Sequence, residues 1–213
     1  MTKSIEEVTL LSEQDIFLFN EGSHFRLYEK LGSHLLSAGE GQGTYFAVWA
    51  PDAEQVCVIG DFNDWNKRTH PLKPKDRSGI WEGVIPEAVK GARYKYHIVS
   101  RYNDYRVDKA DPFGIYNDTP PETVNIVWDL EYTWNDQAWM AKRGNHNSSD
   151  APISIYEVHL GSWMRLAEQG NRWLTYRELA VKLTEYVQQM GYTHVQFLPG
   201  MEHPFYGSWG YQT

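Results

Sequence analysis

Cysteine is nearly absent from this chain: one residue, Cys57, in 213. A single thiol excludes an internal disulfide framework. Its place inside the strand-like run Val56-Cys57-Val58-Ile59 marks it as an inert core residue rather than a nucleophile. Basic charge is also short, with 20 Lys and Arg against 28 Asp and Glu, a net charge of −8. The two signs are interspersed. Nucleic acid, which favours basic stripes, and an anionic membrane surface are both poor partners for such a chain. No charged segment leads into an apolar core at the N-terminus, and no apolar run reaches membrane-spanning length. The expected location is the cytoplasm, where the sequons at Asn117 and Asn147 carry no weight. Metal-binding patterns are missing too. Asp61-Phe62-Asn63-Asp64-Trp65 lacks the calcium-loop spacing and its glycine, and the eight His show no HExxH or paired spacing. Neither a metal nor a cofactor is expected.

What the chain has is aromatics. They make up 15% of it, with nine Trp and fourteen Tyr. Core packing is the first explanation, because one aromatic buries a large area. Surfaces on which pyranose rings stack are the functional alternative.

The pattern changes three times. Residues 1–35 read as helical and irregular. Ser12-Glu13-Gln14-Asp15 can cap a short helix beginning near Asp15, and a second can cover Phe25 to Leu31 and end at Gly32. Neither has a face wide enough to fold alone, so the segment is expected to pack on the strands after it. Residues 36–130 read as an all-β sandwich: strands at Tyr45–Ala50, Gln55–Ile59, Ile80–Ile85, Tyr94–Val99 and Thr123–Trp128 are separated by turn residues. Residues 131–152 form a polar linker without periodicity. From 153 the chain reads strand, long loop, helix, strand. Ile153–His159 is the first strand. Thr175-Tyr176-Arg177-Glu178 is a capping box, and Leu179, Leu183 and Val187 form an apolar stripe ended by Gly191. Thr193–Leu198 is the second strand. Such a unit winds right-handed into a parallel sheet. The fold class expected is therefore multi-domain: an immunoglobulin-like sandwich followed by an incomplete α/β barrel segment, 153–213. A closed barrel takes about 250 residues, so this short segment is read as the front part of a longer protein.

The chain resembles the N-terminal part of bacterial 1,4-α-glucan (glycogen) branching enzymes. The resemblance is carried in order by Leu18-Phe19-Asn20-Glu21-Gly22, by Arg26-Leu27-Tyr28-Glu29-Lys30-Leu31-Gly32 and by Tyr45-Phe46-Ala47-Val48-Trp49-Ala50-Pro51. It continues through Ile59-Gly60-Asp61-Phe62-Asn63-Asp64-Trp65-Asn66, Lys109-Ala110-Asp111-Pro112 and Ile155 to Trp163, and ends in Glu202 to Gln212. It implies a family-48 carbohydrate-binding module, then the start of a glycoside hydrolase family 13 barrel. Related debranching and trehalose-forming enzymes lack the Arg26–Gly32 motif and usually carry an acidic residue or Asn where Gln212 stands. The implied partner is an α-glucan such as glycogen or maltooligosaccharides.

The implied reaction cuts an α-1,4 bond and passes the glucan to a 6-hydroxyl, making an α-1,6 branch with retention through two carboxylates. None of the family's catalytic carboxylates matches a residue within 1–213, so this chain alone is expected to be inactive. Glu157 and Glu202 match none of those motifs. Tyr211, in Trp209-Gly210-Tyr211, matches the aromatic that stacks on the sugar at the cleaved position. Trp209 and His203 are expected to build the loop instead. On the sandwich the resemblance implies a glucan site of Trp65, Lys95, Tyr105 and Asn125. Copies of the module in enzymes either bind glucan or serve as scaffold for the barrel. A freestanding glucan-binding or regulatory module with a vestigial barrel remnant is the alternative.

Overall fold

The computed structural model describes residues 8–37 and 42–213; the first seven residues of the N-terminal segment lie outside them. The chain divides into a first unit ending at Glu131 and a second running from Tyr132 to Thr213.

Among the described residues of the first unit a helix α1 (Glu13–Glu21) precedes eight strands: β1 (Gly32–Leu35), β2 (Thr44–Trp49), β3 (Ala53–Gly60), β4 (Lys73–Lys75), β5 (Ile80–Ile85), β6 (Arg93–Ser100), β7 (Arg106–Lys109) and β8 (Asn125–Ile126). They form two antiparallel sheets. One has the order β1-β2-β5-β4 and the other β3-β6-β7, with β8 also paired to β6. Between the sheets lies a core containing Phe46, Val48, Val56, Val58, Trp81, Tyr94 and Tyr96.

Strand β2 does not show the alternation of a half-solvated strand, because both its faces are covered. Phe46 and Val48 enter the core between the sheets. Tyr45 and Ala47 are buried on the other face against Leu11 and Leu31, with Ile16, Phe19 and Leu27 packed around them. The N-terminal segment is thus a lid on the first sheet, which explains how it stays folded without a wide apolar face of its own. Glu82 ties it down by accepting from both Thr9 Oγ1 at 2.7 Å and the Tyr45 hydroxyl. Helix α1 starts two residues before the expected Asp15. Ser12 is the N-cap and Asp15 the N3 residue of a capping box, so Asp15 lies inside the first turn instead of opening it.

Residues expected to be irregular through position 35 end in a strand. Gly32–Leu35 pairs along β2, Gly32 opposite Ala47 and Leu35 opposite Thr44. A boundary at 35/36 therefore runs along an edge strand of the sheet. Of the expected strand Thr123–Trp128 only Asn125 and Ile126 pair.

The second unit opens with two short helices, α2 (Gln137–Met140) and α3 (Arg143–His146), in the stretch read as a linker. After them come β9 (Ile155–Val158), α4 (Leu160–Trp163), β10 (Arg165–Leu166), β11 (Arg172–Trp173), α5 (Tyr176–Met190) and β12 (His194–Phe197). The expected long loop is thus a helical turn and a small hairpin. Strands β9 and β12 are parallel, Ile155 opposite His194 and Val158 opposite Phe197. Helix α5 starts where its local signals put it: Thr175 and Glu178 complete the capping box, and Gly191 closes the helix at φ 77°. Its buried Leu183 and Val187 pack on Val158, Tyr156 and Val195 of the strand pair.

Candidate functional site

The turn after β3 is built residue by residue from Gly60-Asp61-Phe62-Asn63-Asp64-Trp65. Phe62 turns inward onto the core. Asn63 ties the turn: its Oδ1 accepts from the Gly60 N–H at 3.0 Å and its Nδ2 donates to the Val58 carbonyl at 3.0 Å. Asp64 and Trp65 then take left-handed conformations, φ 52° and 57°. A non-glycine residue at positive φ costs energy and persists only where the surroundings hold it. Here the Trp65 N–H donates to the Gly60 carbonyl at 3.0 Å, and the indole Nε1–H donates to Asp61 Oδ1 at 3.2 Å. The residue is left half-buried.

Lys95 reaches the same end of the sheet from β6. It pairs opposite Ile59, next to Gly60 opposite Tyr94, and its ammonium donates to Thr123 Oγ1 at 2.7 Å. Trp65 and Lys95 therefore stand towards the same end of the sheet, although they are far apart in the sequence.

The other two expected residues are elsewhere. Tyr105 closes the β6–β7 hairpin, where its carbonyl accepts from the Ser100 N–H at 2.9 Å. Ser100 lies five residues along β6 from Lys95, about 17 Å at the usual strand rise. Tyr105 is well exposed at that far end but does not face Trp65. Asn125 is 1% exposed and cannot reach a surface ligand. It pairs opposite Tyr94, whose side chain fills the core, and shares that inward direction. Its Oδ1 accepts from the Asp111 N–H at 2.6 Å, and its Nδ2 donates to Asn117 Oδ1. A Cβ at Gly114 would stand 2.1 Å from Asn125 Nδ2, so the glycine is required by the amide's position. Of the four expected residues, Trp65 and Lys95 thus stand towards one end of the sheet, Tyr105 towards the other, and Asn125 in the core.

Asn125 belongs to a buried polar knot around Asp111. The carboxylate accepts from the Tyr94 hydroxyl at 2.7 Å, the Tyr96 hydroxyl at 3.0 Å and the Phe113 N–H at 2.8 Å. Burial pushes the Asp111 carboxyl up from its ordinary value, and these donors only partly oppose it. Lys109-Ala110-Asp111-Pro112 is therefore a structural motif that anchors the strand-poor stretch after β7.

In the second unit, Tyr211 lies in the loop after β12, at the C-terminal edge of the parallel pair. The Leu198 N–H donates to the Val158 carbonyl at 3.0 Å, prolonging the pairing to the loop's start. The loop then folds back. Gly210, at φ 85°, sits so close to Pro199 that a Cβ would be 2.7 Å from its carbonyl oxygen. Trp209 packs its ring 5.3 Å from His159, the residue directly after β9. This return sets Tyr211 on the edge with 69% of its surface exposed. Trp209 and His203 make ring contacts within the unit, His203 with Tyr206 at 6.0 Å. The contact between His159 and Trp209 has no local signal: nothing in Val158-His159-Leu160 announces a partner so distant in the sequence.

Among the described residues no group of three or more His, Cys, Asp or Glu could hold a metal ion. Among them, too, no helix is long and apolar enough to cross a membrane.

The sandwich and its aromatic turn define the class of the first unit. Residues 30–114 match the model of carbohydrate-binding module 48 (Isoamylase N-terminal domain). Solved structures agree on the fold. A putative alpha amylase from Salmonella typhimurium covers 85% of this chain, itself matched over 26% of its own length, with a TM-score of 0.59 at 19% identity. The catalytic module of the glycogen-degrading pneumococcal virulence factor SpuA covers 89%, matched over 29% of its length, with a TM-score of 0.59 at 22% identity.

Curated relatives are more particular. The chain is 54% identical over 209 residues to the 1,4-alpha-glucan branching enzyme GlgB of Aquifex aeolicus, covering 98% of this chain and 33% of that protein. It is 55% identical over 203 residues to the enzyme of the same name from Albidiferax ferrireducens, covering 95% and 32%. The chain is thus similar to 1,4-alpha-glucan branching enzymes along nearly its whole length and spans about a third of theirs.

Proposed function

We propose that this chain supplies the glucan-holding front part of a 1,4-α-glucan branching enzyme in glycogen synthesis in the cytoplasm. Such an enzyme cuts α-1,4-linked glucan and moves it to a 6-hydroxyl. In this reading the sandwich holds an α-glucan at Trp65 and Lys95, the indole face stacking on a pyranose and the ammonium donating to hydroxyls. The N-terminal segment, 1–35, precedes the sandwich, 36–130, and 131–152 leads to the first strand–helix–strand of a (β/α)8 barrel, 153–213. Tyr211 stacks on the sugar at the cleaved bond, and the carboxylates that do the chemistry are not among residues 1–213.

The observation that supports this best is the Gly60–Trp65 turn, in which four hydrogen bonds hold a strained backbone that carries one indole at the sheet end where Lys95 stands. Strain kept in place by dedicated bonds is a mark of function. The strand-edge position of Tyr211 supports the second half, since parallel α/β sheets bind ligands beyond the carboxyl ends of their strands.

Affinity electrophoresis of the purified chain in gels with and without glycogen tests the proposal. Retardation by glycogen that Trp65→Ala abolishes is the expected result. Migration unaffected by glycogen would reduce the sandwich to scaffold.

A further inference from the structure

The outer face of β3, β6 and β7 carries a groove of about 910 Å³ that Trp65 does not line, within the range of small-molecule sites. Val99 gives it an apolar floor, and its walls hold both signs of charge. Two of the charged groups are already used. Asp108 bridges the Lys67 ammonium at 2.8 Å and the His97 imidazole at 2.6 Å.

Four side chains remain available: Glu54 and Gln55 of β3, Arg68 of the loop, and Arg106 of β7. None has an ion-pair or hydrogen-bonding partner among the described residues. Their chemistry narrows the ligand. A small anion attracted by Arg68 and Arg106 meets Glu54, and a cation attracted by Glu54 meets two guanidinium groups. A neutral molecule with many hydroxyls satisfies all four, because each hydroxyl both donates and accepts while Arg only donates, a carboxylate only accepts and an amide does both. The C–H face of a pyranose suits the valine floor.

We propose that this groove is a second carbohydrate site, taking a short neutral α-glucan through Glu54, Gln55, Arg68 and Arg106. The identity of the sugar rests on the proposed glucan function; its polyhydroxyl character rests on the groove walls. Tyr105, exposed and directly before Arg106, then belongs to this end of the sandwich and not to the Trp65 end.

The test is an NMR titration of the 15N-labelled chain with maltoheptaose, as it stands and as Trp65→Ala. The expected result is movement of the Gln55 side-chain amide and the Arg68 and Arg106 Nε–H signals in both proteins. Arg68→Gln with Arg106→Gln, both at exposed positions, is expected to weaken this response about tenfold, as for lost charged hydrogen bonds, with the spectrum still dispersed. Movement confined to signals around Trp65 and Lys95 would overturn the groove site alone and leave the glucan reading standing. No movement anywhere would overturn both. A comparable response to inorganic phosphate would show an anion site and overturn the proposal.

Discussion

The two units use similar aromatic-rich sequence differently. In the sandwich every long strand meets a partner on each covered face, and Tyr45, Phe46, Tyr94 and Tyr96 have no exposed surface. In the second unit β9 and β12 meet α5 on one face only. Ile155 and Phe197, both strand residues, are 54% and 58% exposed. Parallel sheets normally bury both faces, so these strands carry apolar residues that their own unit does not cover. Closure, and not composition, separates the two units.

Truncating one aromatic in each unit sharpens that contrast most. Phe46→Ala, in the closed core, is expected to cost about 3–5 kcal/mol. Phe197→Ala is expected to cost no more than about 0.5 kcal/mol, as at exposed positions. Urea unfolding followed separately in each unit measures both, and equal costs would erase the distinction.

A smaller effect is expected at Asn125→Ala. It leaves the buried Asp111 N–H without its acceptor, a loss of about 1–3 kcal/mol in the melting of the sandwich. A stability unchanged by this substitution would contradict the core role assigned to the amide.

Acidity should act on the units with opposite signs at two carboxyls. The Arg172 guanidinium, with the Thr175 N–H, holds Glu178 down to about 2. Because that folded value lies below the ordinary carboxylate range, its contribution is full above about 4.5. It is lost as pH falls towards about 2. Asp111 lies above its ordinary value through burial, so its contribution is present at low pH and lost as pH rises through the raised value. Protection factors in the first turn of α5, which are corrected for the pH dependence of intrinsic exchange, should fall on acidification. An acid-insensitive first turn would contradict the role of the Arg172–Glu178 pair.

Legibility followed the range of the interactions. Helix α5 was readable to the residue, because a capping box, an apolar stripe and a terminal glycine are all local. Strands β2, β3, β5 and β6 were readable from β-branched and aromatic runs between turns. Strands β1, β4 and β7, written Gly-Ser-His-Leu, Lys-Pro-Lys and Arg-Val-Asp-Lys, carry little such signal; their pairing is decided by a neighbour. The candidate site divided the same way. The turn that presents Trp65 is local, and Lys95 follows from simple alternation on β6. Whether Asn125 points in or out depends on its pairing with Tyr94, and where Tyr105 falls depends on the length of a hairpin. Family motifs carry the residue types but not these registers.

Residue-resolved hydrogen exchange on the whole chain tests the contrast between the units most directly. Amides of Val56–Ile59 and Tyr94–Ile98 should be slowed about a thousandfold or more, as for opening of a stable domain. Those of Ile155–Val158 and Val195–Leu198 should exchange within about a hundredfold of an unprotected chain, as in regions that open locally. Protection of the parallel pair equal to that of the sandwich would show that the second unit is closed by itself, and would contradict its proposed place as the opening segment of a larger barrel.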